Sequence, residues 1–362
     1  MKTQLKNQQI AILGIDLAKT TYQVHGIDQQ GTTILKQKCT RRKLVELLSN
    51  LKPCTVVMES CAGSNYFSRK FQGFGHSTKL IAAQFVKPFV KSNKNDVADA
   101  QAIAEAASRP SMRFVATKQV WQQDLQSLHR NRQRLIKNRT ALMNAIRGIL
   151  YEYGVVIPVG RFALSRAVSA ILSGQDEDND LTYDSKELLQ IQLSELLALE
   201  EKIAWHNSKL ERIASESQSC AKIMAIKGIG VITATTVLSA VGDPKQFKNG
   251  RQFAAWLGLV PKHSGTGGKN HNLGISKRGD SYLRALMVHG ARSVLWACMA
   301  KKKRGAELEP LEAWVYRIHE KRGWNKASVA LANKSARIVW ALLSSKGEYD
   351  AKKTSGPMTH AA

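Results

Sequence analysis

A chain of 362 residues is long enough for two or three domains with separate cores. Lys and Arg number 54 against 28 Asp and Glu, a net charge of +26 that makes a polyanion the expected partner and predicts binding that weakens as salt rises. No apolar run approaches bilayer length, no secretory signal opens the sequence, and five scattered cysteines without CxxC spacing argue against zinc ligands or a disulfide framework.

In chain order, the first stretch of interest is 11–24. An apolar run ends on Asp16, a short polar turn follows, and β-branched and aromatic residues alternate again to Ile27, the pattern of a two-strand hairpin. A buried central strand does not accommodate an unpaired carboxylate, so Asp16 either caps the turn or holds a metal. Residues 32–37 read as a third strand and 41–51 as a helix, from the spacing of Leu44, Leu47, Leu48 and Leu51. Residues 54–58 form a short apolar strand ending on Glu59, a second acid at the end of the sheet where open α/β folds build their sites. Residues 77–81 suggest another strand.

The alanine-rich segment after Asn95 is helical, which puts Asp96 and Asp99 on one face. Like charges so placed are unfavourable unless a cation lies between them. Four such acids offer oxygen ligands of the kind that suit Mg²⁺, with Mn²⁺ as a second choice. The competing reading makes Asp96 a helix cap, Asp99 a first-turn acid and Glu59 a surface residue. The order of strand-Asp, strand-Glu and helical DxxD resembles the RNase H-like fold as used by junction resolvases of the RuvC type.

The middle of the chain is helical. Trp121, Leu128, Leu135, Leu142 and Ile149 recur every seven residues, as do Leu189, Leu196, Ile203 and Leu210, which predicts a coiled-coil connector. Its first helix carries Arg130, Arg132, Arg134, Lys137 and Arg139 with no acid beside them, a cationic face suited to phosphate. Between the helices, residues 174–180 read as an acidic, solvated tip and not as a calcium loop.

In the final third, Lys227 precedes a turn with Gly228 and Gly230 and then a helix, similar to a helix-hairpin-helix element whose backbone N–H groups meet DNA phosphate. Further on, Ser264, Thr266 and two glycines stand before Lys269, with Lys277 and Arg278 downstream, a hydroxyl and cations able to approach a phosphate. Two helices near 311–322 and 326–343 complete this region, and the tail from 346 has little to bury.

Taken together, the four acids, the GIG turn, the segment 249–261, the Ser/Gly/Lys loop and the segment 274–292 resemble the DEDD insertion-sequence transposases, relatives of the Piv invertase that include bridge-RNA-guided recombinases. The resemblance runs from about residue 10 to about residue 340. It implies a RuvC-like α/β domain at 8–115, a helical coiled-coil connector at 116–218, a helical transposase domain at 219–345 and a disordered tail at 346–362. It further implies that Asp16, Glu59, Asp96 and Asp99 bind Mg²⁺, and that a serine forms a phosphoserine link to DNA in a composite site built from two protomers. The expected partners are donor and target double-stranded DNA, a structured noncoding guide RNA and a second or fourth copy of the chain, without a membrane, in the bacterial cytoplasm at the nucleoid. Relatives carry one or two hydroxyl residues directly before Gly-Gly-Lys, whereas this chain has Gly265-Thr266 there and Ser264 one place earlier. Ser264 is the expected nucleophile, Thr266 the alternative and Ser276 the third candidate. Two other readings of the same residues are a hydrolytic junction nuclease that uses the acids alone and a non-catalytic basic protein that bridges nucleic acids.

Overall fold

The computed structural model describes residues 9–90, 96–175, 179–266, 269–345 and 347–351, and the side chains of Asp96, Thr266, Lys269, Asn270 and Asn272 lie outside that description. So do residues 176–178 of the acidic tip, Gly267 and Gly268, and residues 346 and 352–362 of the tail. The chain divides into two units, Met1–Val120 and Trp121–Ala362.

In the first unit, β1 (Ile12–Leu17) and β2 (Thr21–Ile27) form the expected hairpin, and β3 (Thr33–Thr40) continues it antiparallel to β2. β4 (Thr55–Glu59) runs parallel to β1, β5 (Ser77–Ile81) parallel to β4, and β6 (Phe114–Val115) antiparallel to β5. The order β3-β2-β1-β4-β5-β6 puts β1 and β4 at the centre. This mixed sheet is consistent with an RNase H-like domain. Side-chain alternation sorts two cores. Leu13, Ile15, Val56 and Met58 face α1 (Arg41–Asn50) and α2 (Ser64–Gln72), while Ile12, Val57 and Ile81 face α3 (Ala83–Val86) and α4 (Asp96–Ala107).

In the second unit, α5 (Val120–Glu152) and α7 (Tyr183–Glu216) lie antiparallel. Arg132 Nε donates to Asn207 Oδ1 at 2.6 Å, Arg139 pairs with Glu200 at 3.1 Å, and Leu135 packs with Leu199 and Ile203. At the far end α6 (Arg161–Leu172) closes over Ile146, Leu150 and Leu189. Leu189, Leu196, Ile203 and Leu210 are all buried, so that seam is closed within the chain. The matching series on α5 is kept only in part: Leu135 is buried, but Trp121 is 53% exposed. The cause is a second partner for the start of α5, where buried Gln122 donates to the carbonyls of Leu238 and Val241 at the end of α9 (Val231–Ala240). A third core joins α8 (Gln218–Met224), α9, α10 (Gly250–Trp256), α11 (Ser281–Lys303), α12 (Pro310–Arg322) and α13 (Trp324–Ser344). Among the described residues no helix is long and apolar enough to cross a membrane.

His129, 2% exposed on α5, lies against Thr236 Oγ1 at 3.3 Å. Burial first, and the charge of Arg132 second, push its pKa down to about 4. The unfolded chain therefore takes up this proton at a higher pH than the folded one. Stability is unaffected above roughly pH 6.5 and falls as pH drops towards 4, by at most about 3 kcal/mol. Urea denaturation as a function of pH checks this, and His129→Gln is expected to flatten that limb. Two glycines give opposite expectations. A Cβ on Gly14 would lie 2.5 Å from the Ala100 carbonyl oxygen, so Gly14→Ala is expected to cost about 1–3 kcal/mol or more. On α5, Gly148 meets nothing within 4 Å, and Gly148→Ala is expected to stabilise by roughly 0.5–1 kcal/mol. Denaturant midpoints of the two variants against the parent decide both.

Candidate active site and nucleic-acid surfaces

Residues Ile12 to Ile15 of β1 pair in parallel register with Thr55 to Met58 of β4, so the next residues, Asp16 and Glu59, end neighbouring strands on one face. Both carboxylates are half-buried. Their proximity has a chemical consequence: burial first, then the charges of Glu59 and Asp16, raise the pKa of the Cys61 thiol. Helix α4 covers the same face and runs antiparallel to β1. Ile12 packs in the cluster that holds Ala102, Ile103 and Ala106, and Gly14 lies against Ala100 and Ala104. Two residues of strand advance about 6.6 Å, as far as about four residues of helix, so the step from Gly14 to Asp16 leads back to the first turn of α4. Asp96 opens that turn and Asp99 closes it.

The four acids thus come from three elements that meet at one end of the sheet. All four donors are carboxylate oxygens, the set that fits a hard divalent cation, and their like charges are relieved by one. Among the described side chains, which exclude that of Asp96, no group of three or more His, Cys, Asp or Glu is close enough to hold a metal ion.

Ser264 does not sit in a loop. It lies on β7 (Pro261–Thr266), which pairs antiparallel with β8 (Lys269–Ile275), and its partner across the ladder is His271. Directly opposed residues share a face, with Cβ atoms about 4.5–5.5 Å apart. Ser264 and His271 are both exposed. The foot of the hairpin is tied by backbone bonds from Ser276 N to Val260 O at 2.8 Å and from Lys277 N to Gly258 O at 3.2 Å. Lys277 has φ of 54°, the one positive value outside glycine among the described residues. Ser276 Oγ is buried and has no hydrogen-bond partner among them.

The chain matches the family described as transposases of the IS116/IS110/IS902 type over residues 220–305. Over residues 13–155 it matches a second family, described as transposase, whose name carries the DEDD and IS110 labels. It is 44% identical to the transposase for insertion sequence element IS1111A of Coxiella burnetii, over 96% of this chain and 93% of that one. It is 43% identical to a probable family 20 transposase of Pseudomonas aeruginosa (92% and 96%), and 38% identical to the transposase for IS1328 of Yersinia enterocolitica (92% and 96%). The chain belongs to the IS110 family of transposases.

An IS110-family transposase acts on DNA, and the cations expected to meet its phosphates fall into two groups. Arg130, Arg134 and Lys137 are exposed on α5. Arg132 and Arg139 are engaged across the helix pair, with Asn207 and with Glu200, and Arg161 joins the same Glu200 at 3.0 Å. The absence of an acid beside the basic run in sequence is thus made good from α7, 61 residues further on. Lys227 is also occupied: its ammonium meets Glu309 and, at 2.8 Å, buried Glu312, which Lys301 pairs as well. Gly228, with φ of 87°, is required by packing, since a Cβ there would lie 2.7 Å from the Gly290 carbonyl oxygen of α11. Gly230 starts α9, is exposed, and meets nothing within 4 Å. Lys277 and Arg278 are exposed beside the hairpin. Of Lys269 only the backbone is described.

Removing either acid is expected to lower the Cys61 pKa. At pH 8, Asp16→Asn and Glu59→Gln should each speed its alkylation by iodoacetamide by about 2- to 10-fold. Cys39, Cys54, Cys220 and Cys298 are buried and act as internal controls in the peptide mass map. Unchanged rates would show that the carboxylates do not converge on this thiol.

Proposed function

We propose that the transposase breaks and rejoins DNA by transesterification, with Ser264 as the nucleophile and with Asp16, Glu59, Asp96 and Asp99 as ligands for Mg²⁺ or Mn²⁺. The observation that supports this reading is the parallel pairing of β1 with β4, whose last residues include Asp16 and Glu59, in a chain that belongs to a transposase family. A divalent cation held there supplies charge neutralisation to a phosphodiester.

The residues of the chain supply the remainder. Ser264 Oγ attacks phosphorus, the bond from phosphorus to a DNA oxygen breaks, and the strand end leaves as a hydroxyl. His271, across the ladder, takes the serine proton and returns a proton to the leaving oxygen. One phosphodiester replaces another, so the step conserves bond energy and reverses when a second strand end attacks. The exposed α5 cations Arg130, Arg134 and Lys137, with Lys269, Lys277 and Arg278, hold DNA backbone. The backbone N–H groups at the start of α9, after Gly230, do the same in the manner of a helix-hairpin-helix element. The α5 and α7 pair serves as a coiled-coil connector. Base pairing with a structured noncoding RNA of the element selects donor and target, and a dimer or tetramer of the chain brings the two duplexes together. These last assignments rest on the family resemblance.

The test is recombination of a two-plasmid substrate with and without the flanking noncoding transcript. Asp16→Ala and Ser264→Ala are expected to abolish the product, and His271→Ala to lower its rate by about 100-fold or more. A covalent protein–DNA species on a denaturing gel is expected for the parent and not for Ser264→Ala. Loss in Thr266→Ala with Ser264→Ala active would move the nucleophile, and cleavage by Ser264→Ala without a covalent species would make the protein a hydrolytic nuclease.

A further inference from the structure

Trp296 is 68% exposed on α11, in the middle of a helix that carries Arg284, Arg292, Lys301, Lys302 and Lys303 and no acid. A tryptophan ordinarily buries most of its large apolar surface, so an indole left open in a domain with a complete core calls for a partner. Its only ring neighbour among the described residues is Trp324 at the start of α13, edge to face at 5.9 Å. That contact occupies at most one face of the indole. Trp324 in turn meets His319 at 5.9 Å and an interplanar angle of 89°, and His319 meets Tyr316 at 6.1 Å, so the exposed ring stands on a row of aromatic supports from α12 and α13. Such a base is stiff, and an indole fixed in advance loses little entropy when a ligand stacks on it.

The surroundings select the ligand. Arg292, Trp296, Met299 and Lys303 follow one another at spacings of four, three and four residues and so share a face of the helix. Arg292 is oriented by its bond to Asn325 Oδ1 at 3.2 Å, Lys303 is exposed, and the neighbouring Lys302 ammonium lies 5.9 Å from the Tyr316 ring. Measured along the axis, Arg292 lies about 6 Å before Trp296 and Lys303 about 10 Å after it, so a flat apolar ring is bracketed by cations. A duplex offers no open base face to the ring. A single strand offers both stacking face and flanking charge.

We infer that the Trp296 face of α11, with Arg292 and Lys303, is a stacking platform for an unpaired base of single-stranded DNA, holding a strand opened during recombination. Its residues are none of those given a role above, and the inference does not depend on the assignment of Ser264, the four acids or the cations of α5.

The full-length protein is titrated into fluorescein-labelled oligo(dT) of 20 nucleotides, with a duplex and an oligo(U) of the same length as comparisons, by fluorescence anisotropy. Trp296→Ala is expected to weaken oligo(dT) binding by about 10-fold or more and to leave duplex binding within about 2-fold, while Trp296→Phe, which keeps an aromatic face, restores most of the loss. Lys303→Gln is expected to flatten the dependence on salt for oligo(dT) by about one unit of slope or less. Thermal melting of each variant confirms folding, which the exposure of both side chains favours. Equal oligo(dT) binding by the parent and Trp296→Ala would overturn the assignment. So would an equal loss on the duplex, a greater loss on oligo(U), or a fall in sedimenting mass in Trp296→Ala, which would make the surface a contact between protein chains.

Discussion

A helix lies close against a central strand only where the strand presents no side chain to hold it off, and in the first unit Gly14 meets that condition on β1. Ala100 and Ala104 fill the space where a Cβ would be. The small residues on both sides are one device: glycine on the strand and alanine on the helix bring the two backbones together, and the apolar pairs beyond them, Ile12 with Ile103 and Ala106, fix the direction of α4. Once that direction is fixed, the first turn of the helix must come to the end of the sheet where Asp16 and Glu59 lie. The acids do not build this arrangement, since their mutual repulsion opposes it. Apolar contacts several residues away set the course of the strands and the helix that carry them.

A second constraint of the same kind shapes the other unit. Gly228 and Gly290 allow the turn before α9 to press on the middle of α11, each leaving no room for a Cβ on the other. The turn therefore owes its glycine at 228 to packing and its exposed glycine at 230 to the open start of α9. Lys227, beside it, stitches the turn to α12 through Glu309 and Glu312. Glu312 is nearly completely buried, and burial alone would raise its pKa, yet Lys227, Lys301 and the Glu309 backbone N–H outweigh that and hold it below the usual carboxylate range. A lysine so employed ties the turn to the core of its own unit.

What the sequence disclosed and what it withheld divide along the range of the interactions. Strand alternation and helix periodicity are local, so β1, β2, β4 and β5, the helices α1, α12 and α13, and the buried leucines of α7 were readable from spacing. Partners distant in the chain were not. Nothing near Arg139 announces Glu200, and nothing near Lys227 announces acids 82 and 85 residues away. The exposed end of the α5 series has the same origin, because Gln122 commits the first turns of that helix to α9, and a seven-residue repeat says nothing of where its partner stops. The segment around Ser264 was read as a glycine-rich loop although it carried a hairpin signal: two glycines between residues that pair as Thr266 with Lys269. Glycine count drew attention from the alternation on either side.

That correction changes the chemistry available to the serine. Under the proposed mechanism, a serine in a loop would have to find its proton acceptor by induced order, and the one-residue offset from the pattern of the family would be a matter of slack. On a strand, every residue alternates, so a shift of one place turns the side chain to the opposite face of the hairpin. Ser264 and Thr266 lie two apart on β7. Across the ladder Ser264 pairs with His271, and Thr266 with Lys269. Under the proposed mechanism an imidazole nitrogen supplies the lone pair that takes up the serine proton. In the proposed mechanism, the histidine across the ladder is what favours Ser264.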